Sequence, residues 1–366
     1  MVSAPLWLES HGGPEISGIA SDSAGRVWVT QSGKQMLLLA SSGELVWKRP
    51  FGERIALTAT GEAYVAGTFE GSVSFGAAQL TSQGSRDVYV LKISNEGEVL
   101  GAFAVGGPED DSLESLNVDA HGDVFVSGAG LGTRKLSPNG DVLWQKPYSG
   151  RLALDTHGDV LLTGELTADT DFGGGVLRSR GGADVLLVKL SATGEHLLSV
   201  SFGDEGEQQR GQQIAVDSAG NVLLAGTFDG SLDFGAGRLS LPSDACSADA
   251  WCLTFGFITK LSGDGRALWS TSLGPLREVG GLVVDGSGGA IVSAASPGGV
   301  RPFRLTWLGA FDGDGRERWH RAEWPDTGIG AGRALAVQGC ERLIWGISAR
   351  PSLEAEEQSY IAAWGP

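Results

Sequence analysis

Ile214-Ala-Val-Asp217-Ser-Ala-Gly220-Asn-Val-Leu-Leu sets two short apolar runs on either side of an Asp-x-x-Gly step. The Asp side chain can accept nearby backbone N–H groups and the Gly tolerates positive φ, so the phrase reads as a β-hairpin. It recurs as Ile19-Ala-Ser-Asp22-Ser-Ala-Gly25, Ile55-Ala-Leu-Thr58-Ala-Thr-Gly61, Leu116-Asn-Val-Asp119-Ala-His-Gly122 and Leu152-Ala-Leu-Asp155-Thr-His-Gly158. A sixth copy is Leu282-Val-Val-Asp285-Gly-Ser-Gly288, and a degenerate seventh begins at Leu335. A repeat of this length, carried along the whole chain, decides the architecture before any single motif does.

Most units carry a second hairpin, as in Val88-Tyr-Val-Leu-Lys-Ile-Ser-Asn-Glu-Gly97-Glu-Val-Leu. Two hairpins give four antiparallel strands, which is one propeller blade, and no stretch keeps a helical period. After the seventh copy the sequence holds one further strand, Ser359-Tyr-Ile-Ala-Ala-Trp364. The missing outer strand is found at the other end, where Pro5-Leu-Trp7-Leu-Glu-Ser parallels Ala267-Leu-Trp269-Ser-Thr-Ser. The expected fold is therefore all-β: a seven-bladed β-propeller, one domain over residues 1–366, with the N-terminal strand closing the last blade. Inner strands are expected to start near 19, 55, 116, 152, 214, 282 and 335.

Composition agrees with a packed β protein. Apolar residues make up 41% of the 366, charged residues only 19%, and the 58 glycines suit many tight turns. A net charge of −17 repels phosphate backbones and anionic lipid, so nucleic acid is not an expected partner. No run approaches the roughly 18 apolar residues of a spanning helix, so direct membrane insertion is not expected. The first residues, Met1-Val2-Ser3-Ala4-Pro5, have neither a basic nor an apolar leader region. Cys246 and Cys252 lie six apart in a loop-like stretch and read as a local disulfide, which implies an oxidising compartment. An extracellular, periplasmic or cell-surface monomer is expected, with the cytoplasm as the alternative. Cys340, in an apolar context, reads as an inert buried thiol.

The repeat resembles that of the bacterial seven-bladed β-propeller repeat proteins, on the phrase Gly226-Thr-Phe-Asp-Gly-Ser-Leu-Asp-Phe-Gly235 followed by an Ile/Val-x-Lys-Leu strand and a Gly-x-x-Leu-Trp strand. The last element is also similar to the Trp-bearing repeats of quinoprotein-like propellers, including outer-membrane assembly scaffolds. The resemblance implies a fold and leaves function open, because a superfold hosts many functions.

Most tempting motifs have plain readings. Trp7, Trp47, Trp144, Trp269 and Trp319 share one outer-strand position and are expected to pack between blades. Trp251, Trp307 and Trp324 fall outside that register and are the better ligand candidates. The repeated Asp residues form turns rather than a ring of acids. Asp312-Gly-Asp314-Gly lacks the rest of a calcium loop and reads as a turn. No phosphate loop and no nucleophile elbow occur.

The asymmetry is in the connections. Insertions are expected between second and third strands at Thr68–Asp87, Glu165–Asp184 and Thr227–Leu253, with acidic neighbours Asp110, Asp111, Glu205 and Glu207. The reading is a non-enzymatic binding or scaffold module, with a protein or carbohydrate partner that is cationic. The alternative is a hydrolase or lyase with carboxylates at the axial channel mouth. No cofactor is expected; a divalent cation such as calcium at these acids is the one candidate.

Overall fold

The computed structural model describes residues 7–10, 15–32, 34–205, 208–243, 245, 253–297, 304–321, 329–338, 342–350 and 358–364. Among them the secondary structure is β without a helix. Strand β1 (Trp7–Ser10) precedes the first sheet, formed by β2 (Ile16–Ser21), β3 (Val27–Gln31), β4 (Gln35–Leu39) and β5 (Leu45–Arg49). The second holds β6 (Arg54–Leu57), β7 (Ala63–Phe75), β8 (Ala78–Ile93) and β9 (Val99–Val105). The third holds β10 (Ser115–Val118), β11 (Val124–Gly128), β12 (Gly132–Leu136) and β13 (Val142–Lys146).

The fourth sheet runs β14 (Arg151–Leu154), β15 (Val160–Leu166), β18 (Asp184–Leu190), β19 (His196–Phe202), with the ribbon β16 (Thr170–Asp171) and β17 (Val176–Leu177) inserted between its middle strands. The fifth repeats that plan. Its strands β20 (Gln209–Val216), β21 (Val222–Phe228), β24 (Phe255–Leu261) and β25 (Ala267–Pro275) accommodate a ribbon of β22 (Ser231–Asp233) and β23 (Arg238–Ser240). The sixth sheet is β26 (Glu278–Val284), β27 (Ala290–Pro297), β28 (Arg304–Phe311), β29 (Glu317–Arg321). The seventh is β30 (Ile329–Gln338), β31 (Arg342–Arg350), β32 (Gln358–Trp364), and then β1. Trp7 to Ser10 pair antiparallel with Ala363 to Tyr360, so the N-terminal strand completes the last sheet as expected.

Chain packing separates two compact units. One consists chiefly of Ala4–Leu152 with Ala336–Gly346 and Glu357–Pro366, the other chiefly of Ala153–Leu335. Each has its own cores. In the first unit, Trp28, Met36, Val65, Phe75, Tyr89 and Leu91 form one cluster, and Tyr64, Val90, Leu116 and Val126 lie in another. In the second, Leu187, Leu224, Phe228, Phe234 and Phe257 form one, and Ile258, Leu282, Val292 and Phe311 lie in another. Middle strands such as β21 and β24 are buried on both faces, which is why they read as unbroken apolar runs, whereas outer strands such as β5 and β13 expose every other residue or more.

The turn chemistry is as the phrase implies. Asp217 Oδ1 accepts the N–H groups of Ala219 (2.9 Å) and Asn221 (2.8 Å), and Gly220 sits at φ 80°. Asp22, Asp119, Asp155, Asp285 and Asp312 accept the same pair of amides. The Asp312 loop is thus a hairpin turn. The second carboxylate oxygen carries a pairing that the sequence reading missed. The Lys of the third strand reaches it: Lys189 Nζ lies 2.9 Å from Asp155 and Lys260 Nζ 2.8 Å from Asp217.

Two of the outer-strand tryptophans, Trp47 and Trp269, pack against the next sheet as expected. Trp47 meets Trp28 edge-on at 5.5 Å, donates from Nε1 to the Asn95 carbonyl (2.9 Å) and abuts Gly97 in the next sheet's outer turn. In the other unit, Trp269 donates to the Gly313 carbonyl (3.0 Å) and lies against Gly315. Those turn glycines therefore serve twice, for positive φ and for the ring above them.

Candidate functional site

The three expected insertions are present, but as ordered ribbons rather than loops. β7 and β8 continue past their sheet, pairing Ser72 with Thr81 and Phe75 with Ala78. β16 pairs with β17 and β22 with β23 in the fourth and fifth sheets. The first and third sheets turn tightly instead, between Gln31 and Gln35 and between Gly128 and Gly132. The physical reason is a Phe-Gly pair at each ribbon tip. Phe75, Phe172 and Phe234 are buried, and the following Gly76, Gly173 and Gly235 take positive φ. The Phe75 ring lies 4.7 Å from that of Tyr89, tilted to it, and Phe234 lies 4.8 Å from Phe202 and 5.1 Å from Phe257. Burying a phenylalanine is worth about 1.5–3 kcal/mol, enough to hold a short ribbon against its blade.

The acids near these ribbons are mostly engaged. In the first unit, Asp110 takes Arg86 Nη2 (2.8 Å) and Ser85 Oγ (3.0 Å). Asp111 is 1% exposed, so it is an interior group rather than a surface acid. Burial raises its pKa and the repulsion of Asp87 adds to that, while the Gly107 amide at 2.8 Å and Arg134 oppose. Asp87, equally buried, accepts the Gln83 amide at 3.0 Å and so closes the ribbon onto its sheet. Asp184 does the same for the Arg180 amide at 2.8 Å. These carboxylates tie loops down.

Two arginines at first-strand starts meet in the same unit. Arg54 Nη1 donates to the Ser17 carbonyl (2.9 Å) and Nε to that of Glu114 (3.2 Å), while Arg151 Nη1 donates to the same Glu114 oxygen at 2.6 Å. Burial first, and the like charge of Arg151 second, push the Arg54 guanidinium down to about 10. It stays charged at neutral pH, linking three successive first strands.

In the second unit an open groove of about 850 Å³ lies between the ribbon and the outer strand of the fourth sheet. Leu177, Arg178 and Arg180 line one side, and Ser199, Val200 and Ser201 the other, with Asp204 and Glu205 at one end. Asp204 is held by Gln209 Nε2 (2.7 Å) and by the Ser231 hydroxyl, with Arg238 at 3.8 Å, whereas Glu205 is exposed. Of the other candidates, Glu207, Trp251, Trp324 and the Cys246 and Cys252 pair lie outside the described residues, as does Cys340. Trp307 is buried in a core cluster and stacks on His320, so it is a packing residue. Among the described residues no group of three or more His, Cys, Asp or Glu could hold a metal ion.

No protein-family model matches the chain, and no curated protein matches it. Solved structures do. The β-propeller domain of Cps50 (Swd1) from Myceliophteria thermophila is similar over 98% of this chain and 98% of its own, with a TM-score of 0.57 at 9% identity. The WD40 β-propeller domain of Doa1 gives 0.57 at 8% identity over 99% and 96%. BamB from Moraxella catarrhalis is similar at a TM-score of 0.46, with 12% identity over 96% and 86%. At such identities the likeness shows the fold alone, and with seven four-stranded sheets that fold is the seven-bladed β-propeller.

Proposed function

We propose that the chain is a non-enzymatic binding or scaffold module whose partner, a protein, is recognised through the connections between second and third strands. The observation that carries this reading is the conversion of three of those connections into Phe-anchored ribbons, while two others remain tight turns. A connection that only had to join two strands would need none of that buried area. Rigid, polar-faced ribbons present side chains at low entropic cost on binding, as a recognition surface requires. The carboxylates that could have served a hydrolase, Asp87 and Asp111, are buried and bonded to loop amides.

An oxidising compartment and kinship with the bacterial seven-bladed repeat proteins belong to the same reading. The Leu253 amide donates to the Ala245 carbonyl at 2.9 Å, which brings together the chain flanking Cys246 and Cys252 and supports their bridging.

The test leaves the phenylalanine anchors in place. Exposed ribbon residues are altered one ribbon at a time, as Thr81→Arg, Val176→Arg and Ser240→Arg. Each variant and the parent are used for affinity capture with quantitative mass spectrometry. Species retained by the parent and lost from at least one variant are expected. Identical captured sets from all four proteins would remove the ribbons from the recognition surface.

A further inference from the structure

The groove beside the fourth sheet's ribbon carries charges that its surroundings leave unanswered. Arg178 and Arg180 are both exposed, both line it, and neither guanidinium has a hydrogen-bond or ion-pair partner among the described residues. Ser179 between them is turned to other work, its hydroxyl bonding the carbonyls of Leu166 (3.2 Å) and Gly181 (3.3 Å). Across the groove, Ser199 and Ser201 alternate along β19 with Leu198 and Phe202, which pack into the core, so both hydroxyls belong to the outward row. Leu177 adds an apolar side chain to the lining, and Val200 contributes to it from the strand between the two serines. In a protein of net charge −17, two adjacent unpaired guanidiniums in one concave site make a local reversal of sign.

We propose that this groove docks an extended peptide bearing acidic residues at alternate positions. Alternate residues of an extended chain lie on one side about 6.6 Å apart, the repeat that separates Ser199 from Ser201 on β19, and Arg178 and Arg180 are likewise two residues apart just beyond β17. Guanidinium forks take carboxylates in a defined geometry; the Ser199 hydroxyl is already hydrogen-bonded to His196 Nε2 at 3.1 Å, and the Ser201 hydroxyl can donate to or accept from the peptide backbone. Glu205 at the end of the groove is the opposing charge and limits affinity for an acidic ligand. The proposal rests on the binding-module reading and gives one of its ribbons an acidic ligand, in place of the cationic partner expected from the acids of the sequence.

The probe is a fluorescein-labelled heptapeptide, Thr-Glu-Val-Glu-Val-Glu-Thr, titrated against the whole protein by anisotropy at low and high salt. Saturable binding is expected, weakening as salt rises. The double variant Arg178→Gln/Arg180→Gln should lose roughly ten-fold in affinity, the combined worth of two exposed ion pairs. Glu205→Gln should bind about two-fold more tightly, a gain that a merely structural Glu205 would not give. All three substitutions are of exposed side chains, so melting temperatures should match the parent. No binding at millimolar protein, equal binding by the arginine double variant, or equal binding of the composition-matched Thr-Glu-Glu-Glu-Val-Val-Thr would each overturn the proposal. Tighter binding of an oligogalacturonate would overturn it in favour of an acidic glycan. If the peptide fails while the Thr81 or Ser240 variants still lose captured species, the module reading stands and this occupant falls.

Discussion

Lys260→Met is the most discriminating substitution in the blade framework. Lys260 Nζ lies 2.8 Å from Asp217 Oδ2 and donates to the Gly288 carbonyl at 3.0 Å, and the two side chains are only 7% and 4% exposed. Removing one partner of a buried pair costs about 3–5 kcal/mol, because the other charge is left without its counter-ion. Asp217 keeps three donors here: the Ala219 amide, the Asn221 amide and Asn221 Nδ2. They hold the expected cost to the lower end, about 3 kcal/mol. Lys92→Met is the control at the corresponding place in the second sheet. Its pair with Glu62 is 2.7 Å long but 29% and 46% exposed, so about 0.2–1 kcal/mol is expected. Urea unfolding at pH 7, followed by tryptophan fluorescence, measures both. The sign of the pH dependence gives a second reading. Desolvation would raise the Asp217 pKa, but Lys260 and Asn221 outweigh it and hold the carboxyl below its usual value. A carboxyl depressed on folding stabilises the protein above the unfolded value near 4, and that contribution is lost as pH falls through the folded pKa. The parent should therefore lose more stability than Lys260→Met between pH 5 and pH 2, both limits being approximate. Equal costs for the two lysine variants, or a cost below about 1 kcal/mol at Lys260, would refute the claim that burial makes this pair structural.

Gly220→Ala should cost about 1–2 kcal/mol, because φ is 80° but nothing lies within 4 Å of the added carbon; Gly315→Ala, at φ 82° and pressed on the Trp269 ring, should cost clearly more, and equal melting temperatures would contradict the packing role of that ring. Deleting residues 7–10 should uncover the edge of β32, where Ile361 to Trp364 are buried, and give aggregation in size-exclusion chromatography; a monodisperse truncation with an unchanged melting point would contradict the closure. If Cys246 and Cys252 are bridged, intact-mass analysis should show the non-reduced protein lighter by two hydrogen atoms than the reduced form, and three freely alkylated thiols would remove the bridge and the oxidising compartment with it.

What the sequence determined is what depends on neighbours along the chain. An Asp-x-x-Gly step with its flanking apolar runs fits within eleven residues, so its hairpin, its repetition and the missing strand supplied by Trp7–Ser10 could all be read directly. The shared position of the outer tryptophans was legible for the same reason. Two further regularities belong to the repeat phrase, yet their structural role could not be read from it: the Phe-Gly pairs at Phe75, Phe172 and Phe234, and the third-strand lysines at Lys92, Lys135, Lys189 and Lys260. Each recurs with the repeat, yet its meaning lies in a partner on another strand. The fate of the acids could not be read at all. Asp110, Asp111 and Asp204 look alike as letters, but one is paired with Arg86, one is buried and accepts the Gly107 amide, and one is clasped by Gln209 and Ser231. Arg178 and Arg180 had no motif to mark them. Whether a charge is answered depends on which distant segment packs over it, and desolvation and pairing act through space, so only the tertiary structure decided which charges stayed free.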